Sequence, residues 1–444
     1  MIRLGYCVSK SQLGCFGRFI MHNNLYQFSK SRSLSTDLDS KFTILKVNSK
    51  LVDAKNLNKY FKKILKKSFK KEELRFLLNY TVNNMPQALD DVNLLTILII
   101  MSKLDIRDQL LFNSILPHLY KISDFNKIIE CLLYSSMLFK DDDNIKLFAT
   151  KLIFDLPSHL DSINYNNISK LCESLCFLNL YSEEFADLIS TLVDKKSLAR
   201  GEIEILNFSS ILNYLSRVRV GDEAEWSVYA NFSLNNLLTT NYKPVIKLLQ
   251  SFVNRNIHHK VLFRNCGDFL VKFIDHMHPK DVSNLSYLYF KVNHPHHALF
   301  NELFKIGEMI STNLDGISSL KLLSGYYLYH SSLQNMLPDI NSEPGLSPNT
   351  ALLHRCRTVY LIYNNISRDL NSFYFQDFLL LFKTLEFFNF INTKNLQMNL
   401  KTFLKFPANV GKTKLSNLDL VKLRYTEKKL INTDQQSFIR LLMS

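Results

Sequence analysis

Glycine and proline are scarce in this chain, which has 11 glycines and 10 prolines among 444 residues. Together they make up about 5% of the chain, against roughly 12% in average proteins. Folds built on tight turns and glycine-rich phosphate loops need both residues, so the scarcity argues against β-sandwiches, jelly rolls and Rossmann sheets. By contrast, 46% of the residues are hydrophobic, including 33 Phe and 20 Tyr, which is enough to bury a large core. The composition therefore predicts an all-helical protein.

Long uninterrupted apolar runs are also missing. The most apolar stretches are residues 94–101, too short to cross a bilayer, and residues 373–390, which charged side chains interrupt. We therefore expect no transmembrane segment. The seven cysteines are odd in number and form no Cys-x-x-Cys pair, which indicates buried, reduced thiols in helices rather than a disulfide framework.

Motifs that support catalysis are absent as well. The chain has no Gly-x-Ser-x-Gly or His-Glu-x-x-His pattern. Residues 409–413 (NVGKT) resemble the end of a phosphate-binding loop, but Phe406 stands where that motif needs glycine. The histidines between 258 and 297 lack the accompanying cysteines or carboxylates of a metal site, so we expect them on loops and surfaces. We predict no enzymatic activity, no cofactor and no metal.

Positive charge is concentrated at the two ends. Residues 1–75 contain 17 Lys/Arg and five Asp/Glu, and residues 401–444 contain nine and three. The chain as a whole has a formal net charge of +14, so the body between the two ends is near neutral. This distribution favours contacts of the ends with an anionic partner over a uniformly positive groove.

The first 36 residues have the composition of a mitochondrial transit peptide. They are basic and contain serine but no acid, the first acid being Asp37. Residues 31–36 (SRSLST) resemble a mitochondrial processing site. A transient amphipathic helix of this kind is attracted to an anionic membrane surface. We predict import into the mitochondrial matrix; a basic tail without a targeting role and import into another organelle are the alternatives.

Apolar residues recur along the chain with helical spacing. The pattern pairs one apolar position with another four residues later, and its starting positions are Leu95, Ile128, Leu171, Phe208, Leu248, Leu285, Leu320 and Phe378. A second helical segment follows most of them and contains Phe112, Phe148, Phe185, Trp226, Phe263 and Phe300. A lone helical hairpin cannot bury both of its apolar stripes, so neighbouring hairpins must stack. The pattern predicts an α-solenoid of about seven to eight helical hairpin repeats, with an irregular all-α globule as the alternative.

The repeats and the changes in composition predict a division of the chain. The predicted parts are a transit peptide (1–36), a basic linker with an amphipathic helix (37–80), a helical-repeat solenoid (81–338), a loop (339–350), C-terminal helical repeats (351–410) and a basic C-terminal tail (411–444).

Two segments carry a family resemblance. Residues 280–304 (KDVSNLSYLYFKVNHPHHALFNELF) resemble the helical repeats of organellar RNA-binding proteins, the heptatricopeptide and octotricopeptide-like group, which includes relatives of FAST-kinase and RAP-domain proteins. Residues 166–192 share that layout of an opening helix, a short loop and a closing helix. The tail contains no recognisable RAP domain. The resemblance implies an α-solenoid that acts on mitochondrial transcripts or ribosomal RNA.

The candidate RNA-binding residues lie in the two basic ends. In the segment 58–75, apolar residues occupy one side of a helix and lysines the other, so the lysines could meet phosphates. The alternatives for this helix are a solvated capping helix and a contact with cardiolipin-rich membrane, and for the tail a solvated segment. The candidates are Lys59, Lys62, Lys63, Lys66, Lys67, Lys70, Lys412, Lys414, Lys422 and Arg424.

These observations predict a non-enzymatic mitochondrial RNA-binding protein that acts in RNA processing, RNA stability or mitoribosome function. Its expected partner is mitochondrial mRNA or rRNA, together with mitoribosomal or other matrix proteins. The competing hypothesis is a protein-binding scaffold or structural subunit of a mitochondrial complex, which the near-neutral body favours because solenoids bind proteins as readily as RNA.

Overall fold

The fold is helical throughout the part of the chain that the structure describes. The computed structural model describes residues 71–84, 89–160, 162–193, 198, 201–311 and 313–336, and short stretches between 359 and 387. No strand occurs among these residues, which confirms the all-helical prediction. The α-helices with defined bounds are α1 (Lys71–Asn84), α2 (Asp91–Lys103), α3 (Gln109–Leu119), α4 (Phe125–Leu138), α5 (Asp143–Asp155), α6 (Tyr165–Leu178), α7 (Glu183–Leu192), α8 (Ile205–Val218), α9 (Glu223–Asn236), α10 (Tyr242–Asn254), α11 (Lys260–Leu270), α12 (Pro279–Lys291), α13 (His297–Ser311) and α14 (Gly316–Met336).

The chain divides into two compact units, Met1–Ser182 and Glu183–Ser444. The first unit includes helices α1–α6, and the second includes α7–α14. The boundary lies inside the segment 81–338, for which the sequence predicts a single solenoid. The loop 339–350, the tail 411–444 and the transit peptide lie outside the described residues.

The helices are arranged as a repeated pair of fixed length. In each of the six pairs α2/α3, α4/α5, α6/α7, α8/α9, α10/α11 and α12/α13, the odd-numbered helix begins 18 residues after the even-numbered one. Successive even-numbered helices begin 34, 40, 40, 37, 37 and 37 residues apart. The variation in repeat length therefore lies in the odd-numbered helix and the link that follows it.

The turn inside the pair has one geometry in five of these six cases. A residue with φ between 50° and 67° stands 14 residues after the first residue of the even-numbered helix. The amide of the next residue donates a hydrogen bond to the carbonyl five positions earlier, as Ile106 does to Met101 at 2.8 Å. The five residues with positive φ are Asp105, Asn179, Arg219, Asn256 and Asn293. Four of them are Asn or Asp, the side chains that best tolerate this conformation, so the turn can end a helix without glycine.

Each odd-numbered helix from α3 to α13 buries at least one aromatic residue. All six aromatic residues of the predicted second segments are 0–3% exposed: Phe112, Phe148, Phe185, Trp226, Phe263 and Phe300. This prediction is confirmed.

The apolar positions from which the predicted pattern starts lie in the even-numbered helices, and those from α6 onward are buried as predicted. Leu171, Phe208, Leu248, Leu285 and Leu320 are buried. Leu95 and Ile128 are only half-buried, because α2 and α4 turn neighbouring residues such as Leu94 and Ile129 into the core. The predicted register is therefore wrong by one residue in these two helices, and Phe378 lies outside the described residues.

Helices of the same parity pack side by side within each unit. In the second unit α8, α10, α12 and α14 form one layer, and α9, α11 and α13 form another. In the first unit α2, α4 and α6 pack in sequence. Helices α12 and α14 approach each other closely, because a Cβ atom at Gly325 of α14 would overlap the Ser286 hydroxyl of α12. Each layer thus presents a row of neighbouring helices, one from each repeat.

Candidate nucleic-acid interface

None of the ten predicted RNA-binding residues, Lys59 to Lys70 and Lys412 to Arg424, falls among the described residues. The basic segment continues into α1, where its side chains are used inside the first unit. Lys71 donates to the backbone carbonyl of Asp105, and the Arg75 Nε atom lies 2.5 Å from the carboxylate of Asp108. These two cations therefore hold α1 against the turn that precedes α3.

Charge in the second unit is separated by helix layer. The even-numbered helices α8, α10, α12 and α14 contain six lysines or arginines and a single acid, Asp281. The odd-numbered helices α7, α9, α11 and α13 contain eight acids and only three lysines or arginines. The four even-numbered helices thus have a net charge of +5 and the four odd-numbered helices −5, three of the eight acids lying on α7.

The first unit lacks this separation. Its even-numbered helices α2, α4 and α6 contain three acids and three basic residues. One such pair is the contact between Lys170 and Glu130 on neighbouring helices, in which the two charges offset each other. The positive layer is therefore a property of the second unit.

Polar side chains of successive even-numbered helices contact one another across this layer. Lys247 of α10 donates to the hydroxyl of Ser210 on α8 at 3.1 Å, and Lys321 of α14 donates to the amide oxygen of Asn284 on α12 at 2.7 Å. All four residues occupy the sixth position of their helix. The partners in these two hydrogen bonds are neutral, unlike Glu130 in the Lys170–Glu130 pair at the same position in the first unit.

A second polar row lies one to two turns further along the same helices. Asn254 of α10 donates to the Ser216 hydroxyl of α8 at 3.2 Å, and Gln250 donates to Asn254 at 2.7 Å. We call the residues along these two rows the even-helix face, in which Ser210 is buried and the other members are half-buried or exposed. It consists of Ser210, Asn213, Arg217, Lys243, Lys247, Gln250, Asn254, Asn284, Tyr287, Lys291 and Lys321.

Lys321 is the most enclosed cation of the even-helix face. Burial lowers its pKa, and Lys280 acts in the same direction, whereas Asp315 and Asp377 nearby oppose the shift. Partial desolvation of an ammonium group strengthens its attraction to an incoming anion, because less water has to be displaced. The face therefore combines exposed cations such as Arg217 and Lys291 with one that is already partly dehydrated.

Three of the clustered histidines cap the N-termini of helices. His259, His278 and His296 precede α11, α12 and α13, and each accepts a hydrogen bond at Nδ1 from a backbone amide of the first turn, at 3.1–3.3 Å. The prediction of loop and surface positions is wrong for His296, which is 8% exposed and whose Nε2 lies 3.2 Å from the carbonyl oxygen of Arg264. Gly267 leaves the space that its imidazole occupies.

Two further histidines make the second unit sensitive to acid. The rings of His258 and His294 are 5.3 Å apart, and burial together with nearby positive charge lowers the pKa of both, that of His294 to about 4. The unfolded chain, with an ordinary histidine pKa of 6.5, therefore binds more protons than the folded chain between about pH 6.5 and 4. The contribution of these neutral histidines to the free energy of unfolding is therefore fully present above about pH 6.5, and it is lost as the pH falls toward 4.

We expect thermal unfolding at pH 5 to show a loss of about 1 kcal/mol relative to pH 7.5 from His294, after allowance for solvent screening. The variant His294→Leu should remove that part of the pH dependence. Leucine suits the site because the equivalent turn position holds Ile106, Leu180, Val220 or Ile257 in other pairs. An unchanged pH dependence in this variant would contradict the assignment.

The described cysteines are free thiols. Cys131, Cys172 and Cys266 are buried and Cys176 is half-buried, as the sequence predicts. Burial raises the pKa of Cys131 to about 12 and those of Cys172 and Cys266 well above the ordinary value. These thiols are therefore poor nucleophiles at neutral pH.

The described residues provide neither a membrane-spanning helix nor a metal site. No described helix is long and apolar enough to cross a membrane. Within the described ranges no three His, Cys, Asp or Glu side chains are grouped so that they could hold a metal ion. Comparison with known proteins finds no matching family model and no matching curated protein.

Sequence reasoning missed the even-helix face. The signal was present, since four helices spaced 37 residues apart contain almost no acid. The net charge of residues 76–400 hides this pattern, because the acids of the odd-numbered helices offset the cations of the even-numbered ones.

Proposed function

We propose that this chain is a non-enzymatic mitochondrial RNA-binding protein with a role in RNA processing, RNA stability or mitoribosome function. The observation that carries the proposal is the net charge of +5 on the even-numbered helices of the second unit, beside −5 on the odd-numbered ones. The acid-free leader of residues 1–36 supports the mitochondrial address.

The proposed architecture is an α-solenoid of about seven to eight helical hairpins. It is supported by the constant 18-residue offset inside each pair and by the 37-residue repeat of the second unit. In such an array each repeat places one helix beside the equivalent helix of its neighbour, so a linear polymer can follow the row.

The chemistry of the even-helix face suits RNA. Lysine and arginine neutralise phosphates, and the amides of Asn213, Gln250 and Asn254 can donate to and accept from base edges. Most protein–RNA affinity from such a face is electrostatic, because bound phosphates release their counterions.

Salt dependence tests the proposal. For about four neutralised phosphates on a single strand, the affinity of the full chain for a mixed-sequence 20-nucleotide RNA should fall about 50-fold between 50 and 200 mM salt. Fluorescence anisotropy at several salt concentrations measures the slope. Affinity that does not change with salt, or no binding at 50 mM, would contradict the proposal.

A second candidate function is a protein-binding scaffold, and the first unit favours it. Leu110 on α3 and Leu147 and Phe154 on α5 are 78%, 65% and 84% exposed. Leu147 is the fifth residue of its helix, a position that Asp187 and Arg264 hold in α7 and α11. A scaffold would keep defined protein partners after nuclease treatment, whereas partners held through RNA would be released.

A further inference from the structure

Three aromatic side chains interrupt the polar rows of the even-helix face. Tyr287 and Phe290 of α12 stack with ring centroids 6.0 Å apart, and Phe290 lies 6.2 Å from Tyr327 of α14. All three residues are half-buried. Phe387 also packs edge-on against the ring of Tyr327 with centroids 5.0 Å apart, so the exposed aromatic surface of the cluster is assigned mainly to Tyr287 and Phe290. We call these three residues the aromatic cluster.

Lysines surround the aromatic cluster. The Nζ atoms of Lys291 and Lys321 lie 5.8 and 5.9 Å from the ring of Tyr287, and that of Lys383 lies 5.1 Å from the ring of Tyr327. One acid, Asp377, is close enough to act with burial in raising the pKa of Tyr287. Aromatic rings flanked by cations offer both partners that a nucleotide needs, a surface for the base and a charge for the phosphate.

Comparison of the repeats shows that the fold does not require an aromatic ring at the position of Tyr287. The residue equivalent to Tyr287 is Asn213 in α8, Gln250 in α10 and Ser324 in α14, each the ninth residue of its helix. The core of α12 is filled by other residues, such as Leu285 and Tyr289, which are fully buried. Tyr287 therefore adds aromatic surface to the face rather than to the core.

We propose that the aromatic cluster stacks unpaired bases, so that the even-helix face binds single-stranded and not base-paired RNA. This inference rests on the proposed function. In an RNA helix the bases already stack on one another and their faces are closed to a protein ring, whereas the bases of a single strand can stack on Tyr287.

The test compares two RNA probes with the full chain. These are a mixed-sequence 20-nucleotide strand and the same strand annealed to its complement, both measured by fluorescence anisotropy at one salt concentration. The wild-type protein should bind the single strand at least 10-fold more tightly. Tyr287→Leu should weaken single-strand binding about 10-fold, the loss of one stacked base, and leave duplex binding and the salt slope unchanged.

Matched variants separate stacking from general damage. Tyr287→Phe keeps the ring and should bind as the wild type does, and so should Tyr242→Leu, which removes a tyrosine of α10 that packs against Phe273 instead. Equal wild-type affinity for strand and duplex would overturn the inference, as would unaltered single-strand binding by folded Tyr287→Leu. Either result leaves the proposed function in place, whereas failure of the wild-type protein to bind either probe defeats the proposed function itself.

Discussion

Reversing three charges on the even-helix face should lower the affinity for single-stranded RNA by at least 100-fold. The changes are Arg217→Glu, Lys243→Glu and Lys291→Glu, one on each of α8, α10 and α12. All three side chains are exposed, so the substitutions leave the buried core unaltered. Each removes a cation that can neutralise a phosphate and adds an anion that repels one. Anisotropy titrations at 50 mM salt, with circular dichroism to verify folding, measure the effect.

The odd-numbered helices supply a control of equal charge. Lys260→Glu, Arg264→Glu and Lys305→Glu change the net charge by the same amount on α11 and α13, and these side chains are also exposed. Affinity should fall less than threefold, because screening at 50 mM salt restricts electrostatic effects to about 14 Å. Equal losses in the two triple variants would show that total charge, and not the even-helix face, governs binding. No loss in the first triple variant would remove this face from the mechanism.

The helical pairs could be predicted from the sequence because each odd-numbered helix from α3 to α13 has a large aromatic residue near its start. Phe112, Phe148 and Phe263 are examples, and their burial follows from their size. The register of α2 could not be predicted in the same way. Its sequence DVNLLTILIIMSK has apolar residues on every side, so a 3.6-residue period fits several phases equally well.

The even-helix face depends on three-dimensional arrangement in a way that composition does not show. Lys247 and Ser210 are 37 residues apart in sequence and 3.1 Å apart in the fold. Only the packing of even-numbered helices on one another gathers the cations of four repeats onto a single layer. A near-neutral total charge for residues 76–400 therefore does not argue against RNA binding, since in the second unit the acids of the odd-numbered helices offset the cations of the even-numbered ones.

The capping histidines escaped prediction for a chemical reason. Asp, Asn, Ser and Thr are the usual residues before a helix, and the sequence has them at Asp90, Asp108 and Asn164. His259 and His296 occupy the same repeat position as Asp108. The 18-residue offset would have identified them as caps, but it becomes visible only once the helix starts are known. The lysines of the two chain ends, from Lys59 to Lys70 and from Lys412 to Arg424, stay predictions.

The largest effect on stability is expected at Trp226, the only tryptophan of the chain. Its ring is fully buried in α9, and its Nε1 donates to the carbonyl of Val220 at 3.1 Å. Phe252 of α10 meets it edge-on with ring centroids 5.0 Å apart. The guanidinium of Arg255 lies 5.8 Å from its ring and also donates to the backbone carbonyl of Arg219, at 2.7 Å. The indole therefore joins one helical pair to the next.

Trp226→Ala should cost about 3–5 kcal/mol, because it removes the anchor of α9 and leaves a cavity between two pairs. Trp226→Phe should cost about 1–3 kcal/mol, because it keeps an aromatic anchor like the Phe of the other five odd-numbered helices from α3 to α13 but loses part of the buried ring and the hydrogen bond to Val220. Urea unfolding followed by circular dichroism measures both variants, as removal of the tryptophan removes the intrinsic fluorescence signal. If Trp226→Ala lowered the free energy of unfolding no more than Trp226→Phe does, the aromatic residues would only fill space inside separate hairpins. A large difference instead means that each ring stabilises the contact between neighbouring repeats, which keeps the cations of the even-numbered helices in one row.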